Sequence, residues 1–193
     1  MTYNLSATFL SVTMAMLTAT SAGEQPALHV VPQVDYARYS GTWFEVARLP
    51  FKYEKNCASD VTATYSPRPD GRITVTNRCL RADATVIEAK GVARRVDGQP
   101  PSVLKVRFAP SFLSFLPMVW GDYQIIALGA DYEYAVVGTP DRSCLWILSR
   151  APTMNRATYA GLTNLAKSQG FDVSRLMLTR HMKTVSSDTK PRL

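Results

Sequence analysis

Few side chains in this sequence are of a type that does covalent or metal chemistry, and their spacing suits neither. There are two histidines, His29 and His181, near opposite ends of the chain. That placement suggests neither a zinc site nor a Ser/His/Asp triad. No glycine-rich phosphate loop is present. Of the three cysteines, Cys57 lies just before one alternating segment and Cys79 ends the next. The turn between them, Pro67-Arg68-Pro69-Asp70-Gly71, is centred near Pro69 and sets the two cysteines nearly opposite each other. In an oxidising compartment they are expected to form a disulfide. Cys144 is left over and shares parity with Trp146. It reads either as a small core residue or as a nucleophilic thiol, although no base is placed near it. Glu45 shares parity with Trp43 and reads as an inward carboxylate with a partner, or else as an acid that touches a ligand. No catalytic residue, metal ion or cofactor is expected, and the protein is expected not to be an enzyme.

The elements that carry these residues are short and alternate. Trp43 to Arg48 is the first. Val61, Ala63 and Tyr65 then alternate with threonines, and Asp70-Gly71 marks a hairpin. Ile73, Val75, Asn77 and Cys79 follow, then Ile87, Ala89, Gly91 and Ala93, then Leu104, Val106 and Phe108. Tyr123–Leu128, Tyr132–Val137 and Leu145–Ser149 complete a set of eight. Eight successive antiparallel strands close naturally into an up-and-down barrel, which removes exposed edges. The last three are apolar on both faces, so something must cover their outside. Residues 153–169 supply one good helix with Tyr159, Leu162, Leu165 and Ala166 on a stripe, stopped by Gly170. The expected fold is all-β, an eight-stranded antiparallel barrel with one C-terminal α-helix packed outside.

Composition agrees. Hydrophobic residues make up 46% and charged residues 19% of 193 residues, which suits one globular domain. Residues 1–22 carry no charge and read as a signal peptide cleaved after Ala22. The first cysteine is Cys57, so no lipid anchor is expected at that cut. Residues 23–33 read as an extended arm, 34–182 as the barrel domain, and 183–193 as a polar disordered tail. The net charge of +7 is scattered through alternating segments rather than gathered on a helix. It reads as a solvated basic surface, with loose attraction to anionic membranes as the alternative, and not as a nucleic-acid site.

Three blocks in order resemble the lipocalin family. Gly41-Thr42-Trp43-Phe44-Glu45 is similar to its Gly-x-Trp opening. Asp35-Tyr36-Ala37-Arg38-Tyr39 is similar to the helical turn before it. Gly121-Asp122-Tyr123 resembles the second block, and Cys144-Leu145-Trp146-Ile147-Leu148-Ser149-Arg150 the third. Cys144 stands where bacterial and plant members usually carry tyrosine. The resemblance is strongest to the apolipoprotein D-like and bacterial outer-membrane branch. It implies that Arg150 stacks on Trp43 at the barrel floor, a cation–π pair worth on the order of 1–2 kcal/mol when desolvated. It also implies a pocket lined by Tyr65, Asn77, Arg81, Phe108, Tyr123 and Trp146. Arg81 would meet a carboxylate or phosphate head group, or be a solvated rim residue.

A barrel of eight strands holds about one small ligand. The expected function is binding of a fatty acid or lysophospholipid, in membrane lipid maintenance or stress response. The alternatives are a lipocalin-fold enzyme using Cys144 and a carrier of a chromophore or iron chelate. The expected location is the periplasm or outside the cell, with outer-membrane association allowed. The partners expected are a lipophilic ligand and a membrane surface, with the chain a monomer or weak homodimer. The membrane expectation comes from residues 109–121, a loop by its prolines yet strongly apolar. Phe112, Leu113, Phe115, Leu116 and Trp120 would form a lip, a lid or a dimer contact.

Overall fold

The computed structural model describes residues 25–182. The expected signal peptide and polar tail lie outside that range. The strands are β1 (Gly41–Arg48), β2 (Ser59–Pro67), β3 (Ile73–Leu80), β4 (Val86–Arg95), β5 (Val103–Arg107), β6 (Gly121–Leu128), β7 (Tyr134–Gly138) and β8 (Leu145–Ser149). Each pairs antiparallel with the next, and β1 pairs with both β2 and β8, which closes the barrel. A ninth strand, β9 (Met177–Leu178), pairs with the end of β1. Sequence pattern did not reveal it, because two residues carry no periodicity.

Register fixes which side chains face inward. Trp43, Ala63, Asn77 and Ala89 lie in one row across β1 to β4. Tyr65, Val75 and Gly91 form the next. Ile125, Val137, Trp146 and Arg48 form another across β6, β7, β8 and β1. The opposite face of β7 and β8 carries Val136 and Ile147. These pack with Leu162 and Ala166 of helix α2 (Arg156–Ser168) in a second apolar cluster outside the barrel. The apolar outer face of the late strands is thus covered, as two-faced strands require.

Helix α2 begins three residues later than the pattern indicates. Asn155 is its cap, with Oδ1 accepting from Thr158 N at 2.8 Å. A short polar side chain that satisfies an orphan helix donor outcompetes the Pro-Thr start. The arm before the barrel is extended but docked. Leu28 is buried with α2, and His29 exchanges two hydrogen bonds with the Gln169 side chain.

One end of the barrel is closed by helical turn α1 (Tyr36–Tyr39), capped by Asp35 Oδ1. Gly41 adopts φ +91° at the turn from α1 into β1, a conformation costly for a side chain bearing Cβ. The loops after β1, β3, β5 and β7 gather at the other end, the mouth.

Candidate functional site

At the floor, Trp43 is fully buried and its Nε1 donates to Tyr39 O at 2.9 Å. The Arg150 guanidinium lies 3.8 Å from the Trp43 ring centroid. It also donates to Thr42 O at 3.0 Å and to Arg38 O at 2.7 Å, tying α1 to β1. The indole face is thus covered by a cation whose donors are spent on backbone carbonyls.

Above the floor sits a chain of phenols. Tyr39 and Tyr65 each lie 2.8 Å from Tyr123, hydroxyl to hydroxyl. Two bonds use two of the three hydroxyl protons, which leaves one to donate. Burial raises all three pKa values, that of Tyr65 to about 12. Asn77 stands on the same inner face, and its Oδ1 is buried without a partner.

Nearer the mouth the inner wall is charged. A bulge between Glu45 and Ala47 breaks the alternation of β1. Strict period two would send Ala47 inward and Arg48 outward. The extra residue sends Ala47 into the outer cluster and puts Arg48 in the inward Trp146 row. Arg48 Nε then lies 2.8 Å from Glu54 Oε2 and 3.4 Å from Glu45 Oε1. Trp146 Nε1 donates to the other Glu54 oxygen at 3.0 Å. Glu45 is only 2% exposed and also accepts from the Thr179 hydroxyl, just past β9. Burial first, and the neighbouring Glu54 charge second, push its pKa well above the ordinary carboxylate range. Thr179 and Arg48 oppose that shift. The inward, partnered carboxylate read from parity is present. Its partner Arg48 and the third member Glu54 were not legible, since their approach depends on the bulge and on a loop.

The other expected site residues fall in several places. Tyr65, Asn77, Tyr123 and Trp146 share the inner face. Phe108 lies one residue beyond β5, with its ring in the space a Cβ on Gly91 would occupy, 2.7 Å from that position. Arg81 is exposed in the β3–β4 turn, beside a groove of about 540 Å³ that Lys55 and Cys57 also line. Cys57 and Cys79 form a disulfide that ties the β1–β2 loop to β3. Cys144 does not sit on the inward face of β8. It precedes that strand in the turn from β7, where its N–H donates to Thr139 Oγ1 at 3.1 Å and its Sγ lies 3.5 Å from Ser143 Oγ.

The β5–β6 loop departs from expectation at Leu113, Leu116 and Trp120. Phe112, Phe115 and Met118 project into solvent at 72%, 76% and 86% exposure. Leu113 and Leu116 are half-buried beneath them. Trp120 does not join the exposed group. Its ring lies against the outer wall, 4.6 Å from the Arg94 guanidinium and 5.2 Å from that of Arg107. Its Nε1 donates to Ser114 O at 2.9 Å, which folds the loop back on itself. Two cations over one indole hold it more firmly than the interface placement read from hydropathy.

A closed barrel with a capped floor and an inward mix of aliphatic, aromatic and polar groups is the architecture of barrels that enclose one small ligand. Comparison with known proteins gives its family. The model of the lipocalin-like domain matches residues 34–181. Temperature-induced lipocalin-1 of Arabidopsis thaliana is 38% identical over 171 residues, 87% of this chain and 88% of that protein. Outer membrane lipoprotein Blc of Escherichia coli (strain K12) is 38% identical over 149 residues, 77% and 80%. Apolipoprotein D of Mus musculus is 31% identical over 194 residues, 87% and 95%. Among solved structures, apocrustacyanin C1 superposes with a TM-score of 0.62 at 15% identity, covering 78% of this chain and 81% of that one. Insecticyanin of Manduca sexta gives 0.59 at 19%, covering 83% and 88%. The chain belongs to the lipocalin family, whose members bind small hydrophobic ligands.

Proposed function

We propose that this protein carries a single-chain lipid, a fatty acid or lysophospholipid, inside the barrel, and exchanges it with a membrane at the mouth. The inner wall carries the reading. Its aliphatic and aromatic rows run from the phenol chain toward the mouth, and Asn77 and one phenol proton remain to meet polar atoms of an occupant. The exposed Phe112, Phe115 and Met118 support loading from a membrane, because clustered exposed apolar side chains mark contacts. Relatives named as an outer-membrane lipoprotein and as an apolipoprotein support export and a role in lipid maintenance. The pocket role of Tyr65, Asn77, Phe108, Tyr123 and Trp146 belongs to this proposal, with Arg81 at the rim.

Native mass spectrometry of protein taken directly from the producing cell tests it. A co-purifying species with the mass of a fatty acid or lysophospholipid, lost on delipidation and restored by adding it back, is the expected result. A tightly held chromophore or chelate instead would overturn it.

A further inference from the structure

We infer that the upper inner wall selects an amphiphile with an ammonium head group over one with a carboxylate. This rests on the proposed lipid-binding reading and narrows its ligand class. Glu45, Arg48 and Glu54 form a buried carboxylate–guanidinium–carboxylate array whose side chains are 3%, 8% and 15% exposed. Arg48 is already engaged on each nitrogen, with Nε on Glu54, one terminal nitrogen on Glu54 O and the other on Met177 Sδ at 3.5 Å, and its charge is opposed by two carboxylates. Of the two buried arginines among the described residues, Arg107 lies in the outward Val92 row. No buried inward cation is therefore left for an anionic head group. With both carboxylates ionised the array lacks one positive charge, and a buried excess charge is costly until something neutralises it.

Two kinds of cation can do so. One is a proton on Glu45. The other is the ligand's own head group, and the surroundings suit an ammonium ion. Trp146 and Phe51 meet at right angles with ring centroids 5.2 Å apart, while Tyr53, 5.3 Å beyond Phe51, is exposed and already has the Lys52 ammonium 4.8 Å from its ring. The Trp146 indole is itself bonded to Glu54. Carboxylates beside aromatic faces are the pairing that recognises ammonium groups. Asn77 Oδ1, unpartnered two strands from β1 on the same face, adds an acceptor and no positive charge.

Proton and ammonium then compete for one charge. The groups facing Glu45 are Arg48 on its own strand, Glu54 from the β1–β2 loop and Thr179 beyond β9. His181 Nε2 lies 2.7 Å from Glu45 O, and its Nδ1 is 3.9 Å from Asp60 on β2. Acidification that protonates Glu45 weakens ammonium binding and leaves alcohol binding unchanged.

The test uses dodecyltrimethylammonium, dodecanol and dodecanoate, each titrated into delipidated protein by calorimetry at neutral pH, with tryptophan fluorescence as a second signal. The ammonium probe should bind about tenfold tighter than the carboxylate or better. Glu54→Gln and Glu45→Gln should each remove most of that preference, with dodecanol affinity held within about twofold. Dodecanoate binding as tightly as the ammonium probe would overturn the inference and leave the lipid-carrier reading standing. Failure of dodecanol and of both other probes to bind would overturn both. A variant that loses all three probes together is checked by its melting curve. Loss of binding by a variant that melts like the parent counts against head-group selection.

Discussion

The two ends of this barrel are built on different principles. The floor is a set of neutral and cation–π contacts in which Trp43 bonds to Tyr39 and lies under Arg150, whose guanidinium donates to backbone carbonyls. The mouth is held by long loops and a bulge, and it sets two carboxylates against one guanidinium and leaves an apolar lip exposed. The floor therefore reads as a structural cap, and the mouth as the end for the proposed exchange. Stability should reside at the first and specificity at the second, and substitutions can separate the two.

The largest effect is expected at the floor. Trp43→Ala removes a fully buried indole and strands Arg150 over a void, at a cost of about 3–5 kcal/mol. The melting temperature should fall on the order of 10 °C by calorimetry. An unmoved transition would dissolve the distinction between the ends. Second is the disulfide, the one strong covalent restraint on the mouth. Cys57 and Cys79 are 22 residues apart in sequence, so opening the loop with paired serines should cost about 3 kcal/mol. The β1–β2 loop carries Glu54, so ammonium selectivity should blur in the same variant while the floor's contacts persist.

The same division governs how much the sequence discloses. Trp43, Tyr65, Val75 and Tyr123 could be placed on the inner face because period-two alternation runs unbroken from the floor, and the Cys57–Cys79 pair follows from one hairpin turn. Helix α2 and its buried stripe followed from a period of 3.6. Arg48 was not legible, since a single bulge reverses its face, and nothing in Glu45-Val46-Ala47-Arg48 announces a bulge. Glu54 and Thr179 reach the site through a loop and a two-residue strand, whose long-range pairing leaves no periodic trace. Trp120 was placed in the exposed lip by hydropathy alone. Its two arginine partners sit on β4 and at the end of β5, far from it in pattern though near in space.

A smaller effect concerns Glu45 and pH. Its folded pKa lies above the unfolded value, chiefly through burial, so the folded state holds the proton more tightly. That contribution to stability is complete below the unfolded pKa, near 4.5. It is lost as pH rises through the raised folded value. Glu45→Gln keeps an acceptor for the Thr179 hydroxyl and removes the titration. Its denaturant midpoint should vary less between acid and neutral pH than that of the parent. Parallel profiles would place the titrating group elsewhere and remove the charge imbalance from the mouth.

The least effect on stability, with a separate effect on binding, is expected at the lip. Phe112, Phe115 and Met118 make little contact with the barrel, so replacing all three with serine should shift stability by no more than about 0.5 kcal/mol. Each side chain that enters a bilayer gains about 1.5–3 kcal/mol from burial, so their joint loss should weaken vesicle binding at least about tenfold. Sedimentation with neutral vesicles isolates this term from the protein's net charge of +7. A lid folded over the mouth would behave otherwise, with ligand release faster and vesicle binding unchanged. The observed geometry favours the membrane, because Trp120 pins the base of the loop to the outer wall while the three tips point away from the barrel's own surface.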